Sequence, residues 1–160
     1  MIVIHEIEYE DIDKGFLQVL DNLLPTNIDD IHAKKILEKI KSNPLHKIFV
    51  AEDTESHKIV GTATLLLEPK FIDKGMVVGY VEDVAVKKGY EGLGVGKQVI
   101  ENVINYAKTI KQCSKIILYC SEKTKGFYEK SGFELSEEAL VMKMKLDFDL
   151  SASCRSASNL

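Results

Sequence analysis

Two carboxylates stand side by side inside an apolar segment, in Tyr80-Val81-Glu82-Asp83-Val84-Ala85-Val86. A strand interior is a costly place for two charges, which favours hydrogen-bonding or proton-handling work over a solvated edge. Successive strand side chains point to opposite faces, so one carboxylate is expected to meet a ligand while the other makes a structural bond. A few residues on comes Gly89-Tyr90-Glu91-Gly92-Leu93-Gly94-Val95-Gly96-Lys97. Glycines between a strand and a helix let the backbone come close to a ligand, and free amides at a helix start can hold phosphate oxygens. A P-loop would need Gly at 91 and Ser or Thr after Lys97, where this chain has Glu91 and Gln98. The G-x-G-x-x-G dinucleotide pattern would need Gly at 97, which is Lys. The third feature is Phe127-Tyr128-Glu129-Lys130-Ser131-Gly132-Phe133. Tyr128, with an ordinary pKa near ~10, can serve as a proton donor, although an aromatic pair before Gly-Phe by itself more often packs a core.

The elements that must position these groups are legible in the periodicity. Ile2–Ile7 reads as a strand. Asp11 or Asp13 is expected to cap one helix running through Phe16, Leu17, Leu20 and Leu24, broken by Pro25. Asp29–Lys41 reads as a second helix with an apolar stripe of Ile28, Ile31, Ile36, Leu37 and Ile40. Lys47–Glu52 and Ile59–Leu67 form a hairpin, and Val77–Val86 a third strand. Val95–Ile110 is a strongly amphipathic helix. Ile116-Ile117-Leu118 reads as a strand buried on both faces, and Ser121 caps a short helix ending at Gly132. Leu140–Phe148 alternates with period two, placing Lys143 and Lys145 on one face. The chain is therefore expected to form one α/β (α+β) domain over 1–150 around a mixed sheet, with 151–160 as a fraying tail.

At 160 residues the chain can bury a core without disulfides. Its net charge of −4 argues against a nucleic-acid partner, which needs a basic footprint. There is no apolar run of transmembrane length and no signal-peptide pattern at the start. Cys113, Cys120 and Cys154 suggest free thiols in a reducing, cytoplasmic compartment. The four histidines lack metal-ligand spacing, so no metal is expected.

The strand, G-x-G turn and amphipathic helix, followed by Phe127-Tyr128-x-x-x-Gly132-Phe133, resemble the GCN5-related N-acetyltransferases. Within them, Glu82-Asp83, Thr62-Ala63-Thr64-Leu65, Glu68-x-Lys70-Phe71-Ile72 and Lys115-Ile116-Ile117-Leu118-x-Cys120 resemble the members that acetylate glucosamine 6-phosphate. The resemblance runs from about residue 15 to about 146 and implies a mostly antiparallel sheet flanked by helices. It implies acetyl-CoA as cosubstrate, direct attack by the sugar amine, a small amino sugar phosphate as partner, and a homodimer. It puts Tyr128 near the CoA sulfur, with Glu82 and Asp83 as the other catalytic residues. Val84, Ala85 and Val86 would run along the pantetheine arm, Glu91, Gly92, Leu93, Gly94, Val95, Gly96 and Lys97 around the pyrophosphate, and Tyr119 beside the cosubstrate. Lys70, Phe71, Ile72, Asp73, Val84, Ser114, Lys115 and Lys145 would join Glu82 and Asp83 around the sugar, with Lys145 reaching its phosphate from the second protomer and Lys143 as alternative. Glu91 replaces the usual Arg or Gln, Ser114 a Tyr, and Tyr119 an acidic residue. Other readings are acetylation of a different amine and a non-catalytic acyl-CoA-binding module.

Overall fold

The computed structural model describes residues 1–137, 139–144 and 146. Among the described residues five strands form one sheet in chain order: β1 (Ile2–Glu6), β2 (His46–Asp53), β3 (Lys58–Pro69), β4 (Val77–Val86) and β5 (Cys113–Leu118). The first four are antiparallel neighbours, and β5 runs parallel to β4. A parallel step needs a crossover, here helix α4 (Val95–Thr109). It buries Val95, Val99, Ile100, Val103 and Ala107 against one face of the sheet. The other face is covered by α1 (Tyr9–Asp13), α2 (Phe16–Leu20) and α3 (Asp30–Lys41), whose Ile12, Phe16, Leu17, Ala33 and Leu37 pack on Ile48, Val50, Ile59 and Ala85. Helix α5 (Glu122–Glu129) follows β5 and sets Phe127 and Tyr128 against the α4 side. Among the described residues no helix is long and apolar enough to cross a membrane.

The expected single helix over 11–24 is two. Gly15, at φ +98°, turns the chain between α1 and α2. The cap is also different, because Glu8 and Asp11 form a reciprocal capping box and Asp11 is buried. Asp11 is there tied to His5 Nε2 at 3.1 Å and to Lys14 Nζ at 3.2 Å, and Lys14 also reaches Glu52 at 2.8 Å. This knot joins β1, α1 and β2, so no sequence spacing could reveal it. Helix α3 begins as expected, with the Asp29 carboxylate accepting from His32 N at 2.7 Å, but Ile31 and Ile36 of the proposed stripe are exposed. Strand β5 is half-exposed rather than buried on both faces, because it is the outer strand of the described sheet. Leu140–Met144 and Leu146 adopt no regular structure. Lys145, Asp147 and Phe148 of the expected last strand, and the 151–160 tail with Cys154, lie outside the described residues.

One irregularity shapes the site. Thr62 pairs with Ala85 and Thr64 with Glu82, so two β4 residues, Asp83 and Val84, oppose the single Ala63. This is a β-bulge, and Asp83 takes the left-handed conformation, φ +49°.

Candidate active site

Strand β4 is paired unequally along its two edges. Its β3 edge is hydrogen-bonded as far as Val86, whereas its β5 edge pairs only from Val77 to Val81. Strand β5 ends at Leu118, so among the described residues Glu82–Val86 have no strand partner on that edge, which leaves a notch. The bulge decides what faces it. Glu82 is the cross-strand partner of Thr64, itself the partner of Ile48 on the α1–α3 face. Asp83 lines a recess of about 250 Å³ on that face, with His46, Thr26, Thr64, Phe16 and Leu20. The two carboxylates therefore share a face; the alternation that predicted opposite faces fails because the bulge adds a residue. Burial pushes the His46 imidazole below its ordinary pKa, with the Asp83 charge opposing. His46 therefore faces the recess as a neutral group near pH 7.

The glycine turn lies at the end of β4. Gly94, at φ +81°, is the N-cap of α4 and has no side chain to bond the first-turn amides; that turn carries no acidic residue. Those N–H groups have no intrahelical acceptors, so they can take an anion. The missing side chain of Gly96 also serves packing: a Cβ there would lie 3.3 Å from both Phe127 Cζ and Val86 Cγ2. Glu91 turns its carboxylate back into the loop, where Oε2 accepts from Gly89 N at 2.6 Å. Leu93 is exposed beside it. The loop is anchored by Tyr90, whose hydroxyl donates to Asp53 Oδ2 at 3.0 Å. The Asp53 carboxyl is held down to about 2 by the Ser56 hydroxyl, then by the Glu55 amide and Tyr90.

Tyr128 shares a recess of about 290 Å³ at the end of β5 with Leu118, Tyr119 and Cys120. It packs edge-on against Phe127 and Phe133, at centroid distances of 4.9 and 6.0 Å. Burial first, then the neighbouring Cys120, raises its pKa above the ordinary phenol value. Its hydroxyl thus keeps its proton throughout the neutral range. Cys120 and Cys113 are free thiols.

The remaining expected residues collect elsewhere. Lys70 is held by Glu68 and by Tyr80 Oη at 3.4 Å, while Phe71 and Ile72 project into solvent from the β3–β4 hairpin. Lys115 pairs with Val78, and Ser114 and Lys115 line a groove of about 560 Å³ with Lys108 and Gly132. Along β4, Tyr80, which Lys70 reaches, stands two residues before Glu82, and Val78, the partner of Lys115, stands four before it. Lys145 lies outside the described residues, and Lys143 is in the segment without regular structure. His46, Asp53 and Tyr90 were not anticipated. Each acts across separate elements, and only Tyr90, an aromatic inside a glycine turn, left a local signal.

An unpaired β4 edge that leads to the start of α4 has the shape and donors to take an extended ligand ending in an anion. The profile of the acetyltransferase (GNAT) family matches residues 15–133, and the chain belongs to that family. A protein of Arabidopsis thaliana named glucosamine 6-phosphate N-acetyltransferase is 34% identical over 146 residues, covering 90% of this chain and 96% of its own. One of the same name from Trypanosoma brucei brucei is 42% identical over 101 residues, 63% of this chain and 64% of its own. The crystal structure of the Arabidopsis thaliana glucosamine-6-phosphate N-acetyltransferase superposes with a TM-score of 0.84 at 33% identity, covering 92% of this chain and 99% of that one.

Proposed function

We propose that this protein transfers the acetyl group of acetyl-CoA to the amine of glucosamine 6-phosphate, giving N-acetylglucosamine 6-phosphate and CoA. The observation that carries the acetyl transfer is the notch where β4 leaves β5 after Val81. Unpaired strand edge is what a pantetheine arm, with two amides along an extended chain, can pair with as an added strand. The amides of Val95, Gly96 and Lys97 at the start of α4 then meet the pyrophosphate. The choice of sugar rests on the near full-length similarity to the Arabidopsis thaliana protein.

In the reaction the amine nitrogen attacks the thioester carbonyl carbon, the C–S bond breaks, and the thiolate takes a proton. Tyr128 supplies it, because its raised pKa keeps the hydroxyl intact as negative charge develops on sulfur. Glu82 and Asp83 draw the amine to the notch; water takes the proton that the ammonium must lose before attack, and the second proton, released from nitrogen as the amide forms, returns through water to Tyr128. Lys145, with Lys143 and Lys115, supplies cations for the sugar phosphate.

A homodimer completes the site. The outer edge of β5 is flanked by the two recesses lined by Ile116 and Phe133. Leu140, Met142 and Met144, at 85–95% exposure, alternate as a strand would. The segment from Leu140 of a second copy laid along β5 would cover both. It would also bring the partner's lysines, and its β3–β4 hairpin, to the acceptor. The single domain over 1–150 and a reducing compartment, in keeping with free Cys113 and Cys120, belong to the same reading.

The test is thiol release from acetyl-CoA with amino sugars bearing or lacking the 6-phosphate. Two charged contacts at roughly 1.5–3 kcal/mol each give a preference of about 10²–10⁴ in kcat/KM for the phosphorylated sugar. Lys145→Ala removes much of it. Equal kcat/KM for both sugars rejects this substrate.

A further inference from the structure

The open edge of β4 is already touched by one side chain, from an element outside the notch. Lys87 N donates to Val60 O of β3 at 2.8 Å. The preceding carbonyl, across a trans peptide, therefore points the other way, into the notch. That carbonyl, Val86 O, accepts from Asn22 Nδ2 at 2.7 Å, a contact spanning 64 residues of sequence. The partner settles the amide's orientation, since only its nitrogen can donate to a carbonyl. Asn22 Oδ1 has no protein donor among the described residues.

The chain around Asn22 is built to hold it there. It follows α2, where Leu23 N and Leu24 N both bond Leu20 O, at 2.8 and 3.3 Å. The Asp21 carboxylate then accepts from Thr26 N and Thr26 Oγ1 at 2.8 and 2.9 Å, closing the 21–26 loop on itself. Asn22 is nonetheless exposed. An exposed amide gains little from replacing water with a backbone partner, so fold stability does not account for its placement over the unpaired edge.

We propose that Asn22 is a cosubstrate-binding residue: Nδ2 holds the Val86 carbonyl while Oδ1 accepts an amide N–H of the pantetheine arm, clamping the arm between β4 and the 21–26 loop. The side chain moves the acceptor of Val86 outward by the width of one amide. It offers the arm the alternating donors and acceptors of a strand edge at the point where the loop would otherwise block that edge. This rests on the acetyl-CoA reading above.

Titration calorimetry with acetyl-CoA and with 3′-phospho-ADP, the nucleotide part of CoA without the pantetheine arm, tests it. Asn22→Ala and the isosteric Asn22→Asp, which loses the donor that holds the side chain on Val86 O, should each weaken acetyl-CoA about fivefold to tenfold, as loss of one ordinary hydrogen bond to the arm would. Binding of 3′-phospho-ADP should stay within about twofold. In turnover, KM for acetyl-CoA rises while kcat, KM for the amino sugar and the melting temperature hold. Unchanged acetyl-CoA affinity, or equal losses for both ligands, overturns the assignment. A parent protein that binds acetyl-CoA but does not acetylate glucosamine 6-phosphate refutes the sugar and leaves Asn22 to be judged by the same titration. A parent that binds no acetyl-CoA refutes both.

Discussion

Replacing Glu91 by Gln removes one negative charge from the turn that is to receive a pyrophosphate, and keeps the side chain's length. The carboxylate lies on Gly89 N, inside the loop, at 2.6 Å. A pyrophosphate seated on the first-turn amides of α4, on the order of 7 Å from that carboxylate, would feel its charge through water. Two unit charges at that separation in water repel by about 0.6 kcal/mol, so two phosphate charges give about 1.2 kcal/mol before screening. A Debye length of ~30 Å at 0.01 M salt leaves most of this, and one of ~8 Å at 0.15 M leaves less than half. Glu91→Gln should therefore tighten acetyl-CoA about fivefold at low salt and about twofold at physiological salt. Glu91→Arg should roughly double the effect on a logarithmic scale. The assay is acetyl-CoA affinity by calorimetry across that salt range. The Gln amide can still accept from Gly89 N, so turn geometry is held constant. If Glu91→Gln weakens binding, or its effect does not change with salt, repulsion is the wrong account and the Gly89 contact shapes the loop for its ligand.

Tyr128→Phe keeps the ring stack with Phe127 and Phe133, so acetyl-CoA affinity should hold while single-turnover acetyl transfer falls about 10²–10⁴-fold; an unchanged chemical step removes Tyr128 from the mechanism. Its pKa is raised, so the parent should lose no rate to Tyr128 ionisation at pH 9, which a pH–rate profile checks. Gly61→Ala would set a Cβ 2.7 Å from Val95 Cγ1 and 3.3 Å from Ala51 Cβ, forcing the first turn of α4 off the sheet. Overpacking of this kind costs about 1–3 kcal/mol, visible as a lower melting temperature and weaker acetyl-CoA binding; a variant matching the parent in both means the helix yields freely. The Asp53 carboxyl is lowered in the folded state, so its stabilisation is present above the ordinary unfolded value near ~4. It is lost as pH falls through about 2. Urea midpoints of the parent and Asp53→Asn should therefore converge between pH 4 and pH 2, and a gap that stays constant shows that ionisation is not its source.

What the sequence disclosed follows the range of the interactions responsible. Helix α4 and strand β4 were readable to within a residue, because their apolar periods are strong and end at glycine or a turn. The glycine turn and Phe127-Tyr128 could be placed for the same reason. The break at Gly15 was missed because Phe16, Leu17 and Leu20 continue a helical spacing across it, and a single glycine is tolerated in many helices. The bulge at Asp83 left no local mark. It is a property of the β3–β4 register, and it reversed the expected direction of one carboxylate. His46 and Asn22 reach the site from elements 37 or more residues away from Asp83 and Val86. Such placements follow from tertiary packing, which no periodicity records.

The left-handed backbone at Asp83 also bears on how this protein would drift if its activity were no longer selected. Non-glycine residues in that conformation carry strain that the rest of the fold must hold in place. Asp and Asn tolerate it better than most residues, and Gly adopts it freely. Replacement by Gly or Asn would therefore leave folding intact, whereas a smaller residue at buried Val81 would open a cavity and a larger one at buried Ala85 would overpack the core. In a population kept only for folded, soluble protein, position 83 should be among the first of β4 to diversify while its neighbours stay fixed. A library passaged under a stability reporter alone, then sequenced, would separate the part of this strand kept for the fold from the part kept for the reaction.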